Sequence, residues 1–128
     1  MIYLEKKTMR LILTFCIAAV LTGCSGADTT QLDSSFDQSQ SFHVFGNCGM
    51  CEKTIEKSLT GVDGIGAVDW DKKTKQIKVD FDQSKINLTQ IKSKIAAVGY
   101  DTKEIRAEES VYSSLPGCCQ YDRPEELK

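Results

Sequence analysis

Residues 42–59 read FHVFGNCGMCEKTIEKSL, and this stretch decides the fold. Phe42 and Val44 occupy alternate positions of a β-prone run that stops at Gly46, which predicts a strand. After Asn47, the expected N-cap, apolar residues recur at the spacing of a helix. The apolar positions of that helix are Ile55, Leu59 and Val62. The sequence therefore predicts a strand that leads directly into a helix, with two cysteines at the junction.

The residues that follow complete a six-element pattern. A hairpin is predicted from Val68 and Trp70 on one arm and from an alternating arm with Ile77, Val79 and Phe81. Asn87 with Gln90 three residues later predicts a capping box, Gly99 ends the second helix, and residues 102–107 form a weaker final strand. The order β-α-β-β-α-β predicts an α+β, ferredoxin-like sandwich whose antiparallel sheet carries two helices on one face.

The N-terminal residues resemble a bacterial lipoprotein signal. Lys6, Lys7 and Arg10 precede an apolar run over residues 11–21, which as a helix would rise only about 16 Å, roughly half a bilayer core. The letters LTGC at 21–24 look like a lipobox, in which the cysteine is acylated and the chain is cut before it. Residues 1–23 are then a signal peptide and Cys24 is the lipidation site; a secretory signal with a chance cysteine is the alternative.

Composition limits the remaining choices. The chain has 128 residues, 41% apolar and 27% charged, which suits one compact domain. A net charge of -2 gives no electrostatic support for binding nucleic acid. The predicted divisions after the signal are a flexible tether over 24–40, rich in Ser, Thr, Asp and Gln, a folded domain over 41–109, and a C-terminal tail over 110–128.

Cys48 and Cys51 form a CxxC motif around the first turn of the predicted helix. Thiols three positions apart there can reach one soft ion. A helix N-terminus also favours the thiolate, which is both a metal ligand and a nucleophile, so the motif alone leaves thiol–disulfide exchange open. Thioredoxin-like domains keep a proline beside their active site, and no proline lies between Cys48 and Leu115. A structural disulfide would close a very small loop and stabilise little.

The region from Phe42 to about Glu108 resembles the heavy-metal-associated (HMA) domain. The shared features are Val44 and Gly46 before the CxxC motif, Ile55 and Leu59 on the helix, Gly61 and Val62, Val68, the strand over 77–81, and Ala97-Val98-Gly99-Tyr100-Asp101. The family motif is Gly-Met-Thr-Cys-x-x-Cys, whereas Gly46-Asn47-Cys48 is one residue shorter and lacks the methionine. In the family that methionine is an apolar support under the metal loop, and it has no counterpart at this place in the chain.

The resemblance implies a metal carrier and not an enzyme. Copper chaperones, the N-terminal regions of copper-transporting ATPases and the periplasmic mercury-binding protein contain this module. It implies that Cys48 and Cys51 bind Cu(I), with Zn(II) or Hg(II) as alternatives, and exchange it with a metal-transporting ATPase or another thiol-bearing donor or acceptor. In similar bacterial copper chaperones a tyrosine after the second helix shields the metal loop, a role that Tyr100 would take unless it is a plain core aromatic.

The tail adds two adjacent cysteines, Cys118 and Cys119, that the domain pattern does not include. Aromatic residues on either side, Tyr112 and Tyr121, are typical of a segment that docks. The tail thiols could fold back toward Cys48 and Cys51 to give a copper or zinc site of three or four thiolates. The alternatives are a disulfide with the CxxC motif and a tail that engages a partner.

The sequence thus predicts a lipid-anchored, extracytoplasmic HMA protein of the bacterial cell envelope, on the periplasmic or extracellular face of a membrane. It would bind and transfer Cu(I) and make no contact with nucleic acid. The alternative is a membrane-tethered thiol–disulfide oxidoreductase that uses the same two cysteines.

Overall fold

The computed structural model describes residues 36–127. Its strands are β1 (Gln38–His43), β2 (Ile65–Asp71) and β3 (Gln76–Phe81). Its helices are α1 (Gly49–Leu59), α2 (Leu88–Ala97) and the short α3 (Glu109–Ser113), and a single 3-10 turn covers Gly117–Cys119. The predicted signal peptide and lipidation at Cys24 lie outside the described residues, as does most of the tether.

The three strands form one antiparallel sheet in the order β1-β3-β2. Alternate residues of β3, namely Ile77, Val79 and Phe81, are buried and face the core. Buried apolar residues of both helices, including Ile55 of α1 and Ile91 of α2, belong to the same cluster, so both helices cover one face of the sheet. This arrangement confirms the ferredoxin-like α+β fold that the sequence predicts.

The predicted final strand over 102–107 is wrong. Only Thr102 pairs with the sheet, through an isolated antiparallel bridge to Val44. The backbone then turns, because the Thr102 hydroxyl accepts the Ile105 N–H at 3.0 Å and Thr102 N–H donates to Ile105 O at 2.9 Å. A threonine side chain that bonds nearby backbone in this way competes with a strand ladder.

The element boundaries differ from prediction at two places. Strand β1 begins at Gln38, so residues 38–40 of the predicted tether belong to the sheet. Helix α1 has Cys48 as its N-cap, without a side-chain capping bond, and the prediction of Asn47 was wrong by one residue. The capping box of α2 is confirmed, since Asn87 and Gln90 exchange hydrogen bonds of 2.9 and 3.0 Å.

Residues 36–127 include no helix long and apolar enough to cross a membrane.

Candidate metal centre

The loop pair, Cys48 and Cys51, lies where the chain leaves the sheet and enters α1. Cys48 is the N-cap and is half-buried, while Cys51 is in the first turn and fully buried. The loop approaches the core closely, because a Cβ on Gly46 would lie 2.9 Å from the Trp70 ring and 3.3 Å from the Cys51 Cβ. Trp70 in turn donates its indole N–H to Val44 O at 3.2 Å. The tryptophan and the glycine together fix how deep the loop sits.

The two thiols of the loop pair point at each other. Their Sγ atoms are 3.5 Å apart, and Asn47 N–H donates to the Cys51 Sγ at 3.4 Å. Both cysteines are free thiols. The two sulfurs of the CxxC motif are therefore close enough to bind one soft ion together, as the spacing of the motif predicts.

The tail pair, Cys118 and Cys119, folds back onto the loop pair. The Cys119 Sγ lies 3.9 Å from the Cys48 Sγ and 3.8 Å from the Cys118 Sγ. The sulfurs of Cys48, Cys118 and Cys119 all lie within 4.8 Å of one another, a group suited to a metal ion. Cys119 is buried, whereas Cys118 is exposed. The structure thus brings the tail thiols to the loop, with Cys48 as the sulfur shared by the two pairs.

Cys48, the more exposed thiol of the loop pair, has a lowered pKa. Hydrogen bonding from the backbone N–H of Cys51, with smaller contributions from the Cys51 thiol and the Met50 N–H, lowers the pKa of Cys48 to about 7. Burial raises the pKa of Cys119 to about 12 in the metal-free protein, with the Cys51 thiol adding to the rise. Near neutral pH a substantial fraction of Cys48 is therefore thiolate, whereas Cys119 stays protonated.

Tyr100 lies in the core directly behind the thiols. Its side chain is fully buried, and within residues 36–127 its hydroxyl has no hydrogen-bond partner. Burial raises the pKa of Tyr100, and the thiols of Cys51 and Cys119 reinforce the shift. The hydroxyl is thus a donor without an acceptor beside sulfurs that would become acceptors on losing their protons. Tyr100 is both a core aromatic and a neighbour of the thiol group. The two interpretations, a shield of the metal loop and a plain core residue, therefore do not exclude each other.

Met50 adds a fifth sulfur at the mouth of the site. Its side chain is 52% exposed, and its Sδ lies 3.7 Å from the Cys118 Sγ. Thiolate and thioether sulfurs together select soft ions such as Cu(I). The spacing of the motif gave no indication of this contact with the tail.

Three residues that position the site were missed by sequence reasoning: Asp101, Tyr121 and Arg123. Tyr121 had a partial signal, since aromatic residues flank the tail cysteines. Asp101 stands in the family pattern, but nothing indicated that it pairs with Arg123, because a single acid and a single base 22 residues apart cannot be paired from one sequence. The chemistry of the assembled site is that of a soft-metal ligand set.

The Heavy-metal-associated domain model matches residues 41–101 of this chain. The copper chaperone CopZ of Staphylococcus saprophyticus is 37% identical over 57 residues, a match that covers 44% of this chain and 84% of that protein. The copper chaperone CopZ of Staphylococcus aureus is 34% identical over 55 residues, covering 43% of this chain and 81% of that protein.

Solved structures give similar matches. A CopZ metallochaperone is 32% identical and covers 51% of this chain and 98% of its own, with a TM-score of 0.49. Oxidized MerP from Ralstonia metallidurans CH34 is 26% identical and covers 51% of this chain and 94% of its own, with a TM-score of 0.45. The family match ends at residue 101, before the tail begins.

Proposed function

Because the chain belongs to the heavy-metal-associated domain family, we propose that it binds Cu(I) through Cys48 and Cys51 and passes the ion to the thiolates of another protein. The observation that carries this proposal is the 3.5 Å separation of the two free thiols at the start of α1. Two thiolates suit a soft ion of low coordination number, whereas Zn(II) normally takes four ligands. The relatives named copper chaperones support the choice of copper.

Transfer proceeds by ligand exchange. A thiolate of the acceptor forms a Cu–S bond as the bond to a cysteine of this chain breaks, and copper stays Cu(I) throughout. Cys48 is the entry point, because it is partly exposed and its pKa is lowered. A metal-transporting ATPase or another thiol-bearing protein fits this exchange as acceptor or donor, and the chain itself changes no bond within a substrate.

We place the protein on the outer side of a bacterial membrane, anchored by acyl chains on Cys24. The support is the run of sequence at 1–24, with basic residues, an apolar stretch and the lipobox-like LTGC. Stable anchoring needs more than one acyl chain, since the acidic chain offers no polybasic patch to assist. Cell fractionation tests this location: the wild type should sediment with membranes, and Cys24→Ser should not.

Anaerobic titration of the full-length protein with Cu(I), against a chromophoric competitor, tests the binding. The wild type should hold one ion tightly, and Cys48→Ser and Cys51→Ser should each weaken binding. The loss in Cys48→Ser should be at least about a hundredfold, because a ligand matters more than the outer-shell partners that cost 10- to 100-fold. Titrations with Zn(II) and Hg(II) under the same conditions rank the metals. Failure to retain Cu(I), together with catalysed reduction of a test disulfide, would overturn the proposal in favour of the oxidoreductase.

A further inference from the structure

The tail pair has no counterpart in the region that matches the family, yet it lies against the metal loop. We propose that Cys118 and Cys119 are copper ligands, and that together with Cys48 they form a three-thiolate Cu(I) site that closes over the ion. This inference rests on the proposed copper binding, which requires only Cys48 and Cys51. It adds a second ligand set that shares Cys48 with the first.

The sulfur separations fit a shared ion. Metal–thiolate bonds of about 2.3 Å place the sulfurs around one ion about 3.8 to 4.0 Å apart. The Cys48–Cys119 and Cys118–Cys119 distances are 3.9 and 3.8 Å, and the third side of the triangle is no longer than 4.8 Å. A disulfide would need sulfurs about 2.05 Å apart. The spacing is that of ligands around an ion and not that of a covalent bridge.

The tail is held in this position by its own contacts. Tyr121, which is 3% exposed, donates its hydroxyl proton to Gly99 O at 2.9 Å and accepts the Asp101 N–H at 2.7 Å. Its ring stacks on Tyr100 at 5.9 Å and on Phe45 at 6.2 Å. Since Tyr121 is two residues after Cys119, these contacts bring the tail thiols to within reach of Cys48.

A buried ion pair reinforces the docking. The Arg123 guanidinium donates to both carboxylate oxygens of Asp101, at 2.8 and 2.7 Å, and to Ala107 O at 2.6 Å. Asp101 is fully buried and also accepts the Ala107 N–H at 2.7 Å. A bidentate pair of this kind gives geometric definition as well as attraction. The tail is therefore fixed against the domain by specific buried contacts.

The loop and the tail also touch directly. Asn47 Nδ2 donates to Gln120 O at 3.4 Å, beside the thiols that each segment carries. These contacts hold the tail beside the loop, and ligands that are already positioned lower the cost of binding. The N-terminus of α1 faces the same place and favours the negative charge that three thiolates bring.

Binding at this site exchanges protons for copper. Each ligand still protonated loses its S–H proton to solvent as its Cu–S bond forms, and no electron moves, since copper enters and leaves as Cu(I). An acceptor thiolate must then replace the tail thiolates one at a time before the ion departs. The tail pair thus retains the ion until an acceptor supplies ligands of its own.

Copper K-edge X-ray absorption and competitor titration on the full-length protein test the inference. The variants are Cys118→Ser, Cys119→Ser and the double variant, with Ser110→Ala as an exposed tail control. We expect three Cu–S bonds in the wild type and in the control, and two in the double variant. Loss of either tail thiol should weaken Cu(I) binding at least about tenfold. Cys118 is exposed, so Cys118→Ser reports on ligation without disturbing the core.

The outcomes separate the two proposals. Two Cu–S bonds in the wild type, with affinity unchanged in Cys118→Ser and in the double variant, would overturn the tail ligands and leave the loop pair as the copper site. Loss of binding in Cys48→Ser supports both proposals, because Cys48 belongs to both ligand sets, and full affinity in that variant would overturn both. A wild type that does not retain Cu(I), or that holds Zn(II) in its place, would overturn both.

Discussion

The loop pair and the tail pair are held in place by contacts of different range. Cys48 and Cys51 are three residues apart on the first turn of α1, so local backbone geometry suffices to bring their sulfurs together. Cys118 and Cys119 reach Cys48 only because Tyr121 and Arg123 anchor the tail to residues about 20 positions earlier. The proximity of the loop thiols can be predicted from the CxxC motif, whereas the approach of the tail thiols depends on tertiary contacts.

The largest expected effect on stability follows from removing the ion pair that holds the tail in place. Asp101→Ala leaves the Arg123 guanidinium, with its side chain 8% exposed, paired only with the exposed Glu109 carboxylate. The loss of the buried bidentate partner should lower the free energy of unfolding by about 3 kcal/mol. Urea denaturation measures this. The control is Asp63→Ala, which breaks an exposed pair with Lys85 and should cost less than about 1 kcal/mol. Equal effects in the two variants would show that the ion pair does not seat the tail.

A smaller effect is expected in the loop. Gly46→Ala would force its Cβ to within 2.9 Å of the Trp70 ring and should destabilise the fold by about 2 kcal/mol through overpacking. Gly49→Ala is the matched control, because nothing lies within 4 Å of the added Cβ, and should be neutral within about 0.5 kcal/mol. Thermal unfolding of both variants tests whether Trp70 fixes the position of the loop. A Gly46→Ala variant as stable as Gly49→Ala would show that it does not.

The smallest expected effects on stability come from removing the hydroxyls of the two stacked tyrosines, Tyr100 and Tyr121. Tyr121→Phe removes a hydroxyl with two hydrogen bonds and should cost about 1 kcal/mol in the metal-free protein. Tyr100→Phe removes a hydroxyl that has no partner within residues 36–127, and should be neutral or slightly stabilising. If Tyr100→Phe proved as costly as Tyr121→Phe in urea denaturation, the Tyr100 hydroxyl would have a partner that the structure does not show.

Local signals in the sequence predicted much of this molecule. The capping box of Asn87 and Gln90 and the alternation of Ile77, Val79 and Phe81 depend on neighbours within a few residues, and both are found as expected. The final strand failed because Thr102 bonds to the backbone three residues ahead, a competition that β-propensity does not register.

The position of the tail could not be predicted from the sequence, for a different reason. Paired aromatic residues indicated that the tail would dock, but its register depends on Asp101 meeting Arg123 across the fold. Neither residue carries any local mark of that contact. The fold and the loop pair were therefore predictable from one sequence, whereas the meeting of four thiols was a hypothesis that only tertiary geometry could support.

The most direct test of the account follows each cysteine of the unmodified full-length protein by alkylation and mass spectrometry, with and without one equivalent of Cu(I). Without copper, Cys48 should react much faster than Cys119 at neutral pH, because the pKa of Cys48 is lowered to about 7 and that of the buried Cys119 is raised to about 12. With copper, Cys48, Cys118 and Cys119 should be protected together. Protection of Cys48 and Cys51 while the exposed Cys118 reacts as fast as before would contradict it.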